Sequence, residues 1–123
     1  VVLAEGDPLA ELCAWMRRNL DRDLTIESLA GRARMSRRTF IRRFEAATGM
    51  SPGEWVLQER MTQARDLLEA TAMSVEDVAT AVGFGTADAL RHHFRTRLDT
   101  SPMRYRLDFA PKARQPHRAG QRS

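Results

Sequence analysis

Cysteine is nearly missing from this chain. Cys13 stands alone, so no internal disulfide can form, and no Cys/His cluster has the spacing of a zinc site. Long apolar runs are missing too: nothing approaches the roughly 20 residues that a membrane-crossing helix requires. Val1-Val2-Leu3-Ala4-Glu5 has neither a basic start nor a long apolar stretch, and does not read as a secretory signal. The expected setting is therefore cytoplasmic and reducing, without membrane contact. No segment alternates apolar and polar residues long enough to form a strand. Also absent are a paired acid and base, an activated nucleophile and a glycine-rich phosphate loop. The expectation is a protein that is not an enzyme and takes no cofactor.

Acidic residues are absent from one stretch where basic ones crowd. The formal net charge is only +4. From Ala110 to the end stand Lys112, Arg114, Arg118 and Arg122 with no acid; removing these four from the 20 basic residues leaves 16, which match the 16 acidic ones. The rest is thus neutral in sum. Yet between Ser28 and Phe44 lie Arg32, Arg34, Arg37, Arg38, Arg42 and Arg43, and not one Asp or Glu. A block of one sign on a neutral body is a field directed at an anionic partner, whereas a merely solvated face intersperses acids. Nearly every basic residue is arginine, the side chain suited to bidentate contact with guanine and phosphate.

The chain also says one thing twice. Thr25-Ile26-Glu27 aligns with Ser74-Val75-Glu76, Ala30 with Ala79, and Phe44 with Phe94. Ser51-Pro52 then aligns with Ser101-Pro102 and Trp55 with Tyr105, after one extra residue near Gly83 to Gly85. A repeat of this kind is one supersecondary unit used twice. Each copy is a short helix, a tight turn and a second helix, the outline of a helix-turn-helix.

Local signals divide the chain into helices. Asp7-Pro8 starts one that runs to about Leu20, with Leu9, Leu12, Cys13, Met16 and Leu20 at helical spacing. Cys13 falls on that apolar face and reads as a small buried hydrophobe. Thr25 caps a second helix through Ala33, burying Ile26, Leu29 and Ala30. Ser36 caps a third, Arg37 to Thr48, which stops at Gly49. Ser51-Pro52-Gly53-Glu54 is a capping box that opens the longest helix, about 52–72. Ser74 opens a fifth to about Val82, Thr86 a sixth to Leu98, and Ser101-Pro102 a seventh to about Phe109. The aromatic residues Trp15, Phe40, Phe44, Trp55, Phe84 and Phe94 sit at helical spacing and read as core rather than as a ligand cage.

The expected fold is all-α: seven helices, with two helix-turn-helix subdomains (about 25–48 and 74–98) joined by the long connector. Residues 1–6 read as a linker remnant, 7–109 as the domain, and 110–123 as a basic disordered tail.

On a helical wheel of Arg37 to Thr48, Phe40, Phe44 and Ala47 fall together, and Arg38 and Arg42 fall together opposite them, flanked by Ile41. A helix that reads DNA needs that division, with apolar anchors behind and donors facing the major groove. Arg38 and Arg42 are candidates for O6 and N7 of guanine. Arg37 and Arg43 lie to the flanks, where phosphates run, and Ser36 with the free amides of the helix start is a further phosphate candidate. In the second copy Leu90 and Phe94 face inward, while Asp88, Arg91, His92 and Arg95 face outward. Thr86 and Arg95 take the phosphate roles there. Asp88 either accepts from the N4 amino group of cytosine or pairs with Arg91 or His92 along the helix, the pairing being favoured. Protonation of His92 and His93 is expected to strengthen binding as the pH falls towards about 6. A connector of about 20 residues spans roughly 30 Å, close to the 34 Å between successive major-groove entries on one face of DNA.

The linked segments LTIESLA, MSRRTFIRRFEAATGMSP, RMTQARDLLE, VATAVGFG and SPMRYR resemble the C-terminal DNA-binding domain of AraC/XylS-type bacterial transcription regulators, from about Asp7 to Phe109. TFIRRF with GFGTADALRHHF is most similar to the AdpA-type subgroup, whose members carry an amidotransferase-like (DJ-1-like) N-terminal domain. The resemblance implies base-reading roles for Arg38, Ile41 and Arg42 in the first reading helix. In the second it implies them for Ala87, Asp88, Arg91 and His92; Ile41 and Ala87 enter on the resemblance alone. It implies double-stranded promoter DNA as partner, with RNA polymerase as a second one. It further implies that the chain is a fragment of a regulator that dimerises through a missing N-terminal domain. His92 stands where arginine is common, and Asp99 where the first repeat has Gly49, so the second reader is expected to be the weaker. The alternative is a helical protein-interaction module that presents its basic face to an acidic partner.

Overall fold

The computed structural model describes residues 7–109, and the readings of residues 1–6 and 110–123 fall outside them. Seven α-helices follow one another, and no strand occurs among the described residues: α1 (Pro8–Arg18), α2 (Ile26–Ala33), α3 (Arg37–Thr48), α4 (Pro52–Ala70), α5 (Val75–Val82), α6 (Ala87–Leu98) and α7 (Pro102–Phe109).

Every helix starts at a short polar side chain that accepts from a backbone amide of its first turn. Asp7 Oδ1 accepts from Leu9 N at 2.8 Å, Thr25 Oγ1 from Ser28 N at 3.1 Å, and Ser36 Oγ from Thr39 N at 3.2 Å. Ser51, Ser74, Thr86 and Ser101 do the same for α4 to α7 at 3.0–3.2 Å. Such caps satisfy amides that the helix itself leaves unpaired. Two helices end earlier than periodicity suggests. After α1, Asn19 leaves the helical region and its side chain donates to Trp15 O, although Leu20 beyond it is still buried. After α4, Thr71 turns extended and its hydroxyl donates to Leu67 O, which closes the helix at Ala70 rather than Ala72.

The apolar residues gather into two cores. The first joins α1, α2 and α3 around Met16, Leu20, Leu29, Phe40 and Phe44, with Trp55 and Val56 from the start of α4. The second joins α5, α6 and α7 around Val78, Val82, Leu90, Phe94 and Tyr105, with Met61, Ala64 and Leu68 from the rest of α4. Ile26, expected inside, is only partly buried at the edge of the first core. One helix thus belongs to both subdomains. The repeat is visible in the packing: Phe44 meets Trp55 edge-on with ring centroids 5.9 Å apart, and Phe94 meets Tyr105 edge-on at 5.7 Å.

Candidate nucleic-acid interface

Phe40 and Phe44 are fully buried and anchor α3, so its opposite side must face solvent. Arg38 and Arg42 are exposed there, Arg43 is exposed on the flank, and among the described residues no carboxylate lies within ion-pair reach of any of them. Ile41 is half-buried at the margin of the first core, and with Arg37, Arg38, Arg42 and Glu45 it lines an open groove along this face. An apolar floor between two unengaged guanidinium groups can meet a thymine methyl while the arginines reach guanine. The oxygen of Ser36 serves as cap for Thr39 N, so its own hydrogen and the amides of Arg37 and Arg38 remain for an anion.

The basic block is less uniform than its spelling suggests. Arg37 is held by Glu27 of α2. The Arg32 guanidinium lies over the ring of Trp15, 3.5 Å from its centroid. The free field therefore concentrates on Arg38, Arg42 and Arg43, joined by exposed Arg34 at the turn before α3.

In α6, Leu90 and Phe94 are the buried anchors. Asp88 is almost fully exposed and takes Arg91 Nη1 at 2.9 Å, the intrahelical pair favoured from its three-residue spacing. Glu76 of α5 approaches the same guanidinium at 3.9 Å. Thr86 caps α6, Ala87 is half-buried at its start against the second core, and His92 and Arg95 are exposed. Glu27 and Glu76, neither of which was anticipated, occupy the same repeat position; Glu27 pairs with Arg37 of α3, and Glu76 lies beside Arg91 of α6. The aligned Thr-Ile-Glu and Ser-Val-Glu triplets were the available signal.

His93 departs from expectation. Its ring stacks on Phe84 with centroids 4.9 Å apart, and burial, with help from His92 and Arg97, pushes its protonation below the ordinary histidine range. A stacked, half-buried ring is harder to protonate, which opposes the expected contribution of His93 at lower pH.

Among the described residues no group of His, Cys, Asp and Glu is arranged to hold a metal ion, and no helix is long and apolar enough to cross a membrane. Burial raises the Cys13 thiol above its ordinary range, consistent with a packing residue.

A family model described as a helix-turn-helix domain matches residues 29–108. The HTH-type transcriptional regulator Rv1931c of Mycobacterium tuberculosis is 44% identical over 85 residues, covering 69% of this chain and 33% of that protein. The HTH-type transcriptional activator RhaS of Citrobacter koseri is 33% identical over 94 residues, covering 76% of this chain and 34% of the activator. The chain thus spans about a third of the length of the curated relatives it matches. Among solved structures, the DNA-binding domain of AdpA, a global transcriptional factor crystallised with a target DNA, is 46% identical. It superposes with a TM-score of 0.81 over 91% of this chain and 99% of that one.

Proposed function

The chain belongs to the AraC-type helix-turn-helix DNA-binding family, and from that premise we propose that it binds double-stranded DNA sequence-specifically as the DNA-binding part of a bacterial transcription regulator. The observation that carries this reading is α3: three exposed arginines without acidic partners, backed by two fully buried phenylalanines. Arg38, Ile41 and Arg42 read base edges, while Ser36, Arg37 and Arg43 hold phosphates. Arg37 must exchange Glu27 for phosphate to do so, which makes its contribution smaller than that of Arg43. In the second unit Ala87, Asp88, Arg91 and His92 face the bases, and Thr86 and Arg95 the backbone. Because Asp88 and Glu76 already engage Arg91, α6 contributes less sequence preference than α3.

The whole regulator, on this reading, works in the cytoplasm as a binder rather than a catalyst. It contacts RNA polymerase at the promoter and dimerises through a further N-terminal domain of the amidotransferase-like (DJ-1-like) type. The 46% identity with the DNA-binding domain of AdpA supports likeness to that subgroup within the DNA-binding domain.

Selection of bound duplexes from a random library tests the assignment. The expected product is a guanine-containing block read by α3 with a second, weaker block one helical turn away. Arg38→Ala or Arg42→Ala costs about 1–3 kcal/mol on the selected duplex and relaxes preference at one position. Arg43→Ala weakens all sequences alike and lowers the slope of log affinity against log salt by about one. Identical effects of Arg38→Ala and Arg43→Ala across the library would refute these roles. A basic face serving an acidic protein instead would select no DNA sequence at all.

A further inference from the structure

The connector does more than hold two readers apart. Arg60, midway along α4, donates from Nε to Leu20 O and from Nη2 to Arg22 O, each at 3.0 Å. Both carbonyls belong to the connection between α1 and α2, in the first subdomain. Gly83, which ends α5 in the second subdomain, packs against the same spot. A Cβ built on Gly83 would lie 2.0 Å from Leu20 O and 2.6 Å from Arg60 Nε. The two subdomains therefore meet backbone to backbone, with a half-buried guanidinium bonded into the joint. Burial lowers the Arg60 guanidinium from its ordinary range, and the neighbouring Asp23 and Asp21 oppose that shift.

The repeat supplies an internal control. Arg34 occupies the position of Gly83 and takes the same left-handed conformation, at φ 58° against 98°. A non-glycine residue can thus end the helix at this position, and Gly83 answers to the close approach. The joint also lies next to a reader, because Gly83 is followed by the turn into α6. The far end of α6 is tied to the same connector, with Arg97 Nη2 2.9 Å from Glu54 Oε1.

We infer that the joint of Leu20, Arg60 and Gly83 fixes the phase between α3 and α6, so that the chain discriminates DNA by the number of base pairs between the two segments it reads. Arg60 and Gly83 are positioning residues that touch no DNA. Inserting one base pair rotates the second segment by about 35° and moves it by about 3.4 Å. A joint held by two backbone carbonyls and a bonded guanidinium cannot follow that movement without breaking. This inference rests on the proposed DNA-binding function.

The test combines a measurement without DNA and one with it, both on the full 123-residue chain. Nitroxide labels are placed at the exposed, repeat-equivalent positions Ala46→Cys and Thr96→Cys, in a Cys13→Ala background, and the distance distribution is recorded by pulsed electron paramagnetic resonance. The parent is expected to give one narrow distance, and Arg60→Met, which keeps the aliphatic stem, a broad one. Duplexes recovered by selection are then lengthened or shortened by one and two base pairs between the blocks. The parent should lose tenfold or more in affinity at two base pairs, and Arg60→Met less than threefold, with affinity for the α3 block alone unchanged. Gly83→Ala and Arg60→Lys serve as second variants, Lys being able to make only one of the two bonds and giving an intermediate spacing profile. Narrow distances and sharp spacing preference in both Arg60→Met and Gly83→Ala overturn the inference, as does a parent that tolerates every spacing or selects a single block. A parent that selects no DNA overturns the functional reading beneath it, whatever the label distances.

Discussion

Arg34 and Gly83 end α2 and α5 at one repeat position, both left-handed, and their chemistry differs because their neighbours do. An L-residue in this region carries strain of about 1–2 kcal/mol, which Arg34 sustains in open solvent. Gly83 has the carbonyl of Leu20 where a Cβ would sit. Gly83→Ala is therefore expected to destabilise by about 2–3 kcal/mol. Arg34→Gly relieves strain but loosens the unfolded chain, and the two nearly cancel to within about 1 kcal/mol. Urea midpoints decide it; equal costs at the two positions would show that φ alone governs both. Other single residues were harder to read. Arg32 and Arg37 look identical to Arg38 in the sequence, yet one is stacked on Trp15 and the other held by Glu27. Those partners come from other helices, and spacing along one helix carries no information about them.

At the scale of the element, helix starts were the most legible feature and helix ends the least. A cap is a bond between residues two or three apart, so sequence order is sufficient to find it. The ends of α1 and α4 were decided by side chains folding back onto carbonyls four residues earlier, as Asn19 and Thr71 do. The exposed faces of α3 and α6 followed from the 3.6-residue period, while the stacking of His93 on Phe84 did not. Because its stacked ring is harder to protonate when folded, the unfolded chain binds more protons as the pH drops through the ordinary histidine range, about 6.5. Stability from this group is whole above that pH and declines below it. Thermal melts from pH 7.5 to 5.5 should show this decline, and His93→Gln should flatten it. An unchanged slope in the variant would assign the effect elsewhere.

For the whole molecule, the sharing of α4 matters most. Each subdomain alone is far smaller than a chain that stabilises itself readily, and each borrows half of α4 for its core. Unfolding one should remove a wall of the other, so a single cooperative transition is expected. Both tryptophans, Trp15 and Trp55, pack in or on the first core, whereas far-ultraviolet circular dichroism reports all seven helices. The two probes should trace one coincident denaturation curve. A tryptophan transition well separated from the dichroism curve would mean two independently folding units.

The sequence by itself determined the all-α class, the doubled helix-turn-helix plan, the cap that begins each helix and the outward faces of α3 and α6. All of these depend on contacts between residues a few positions apart or on a periodic pattern. Tertiary structure alone decided which arginines remain free on α3, that Glu76 joins Asp88 beside Arg91, and that the His93 ring stacks on Phe84. It also decided the joint of Leu20, Arg60 and Gly83, whose members lie some 20 to 60 residues apart in the chain. Such contacts exist only after the two cores have packed on α4. No local pattern encodes them, because the cause is the approach of one backbone to another.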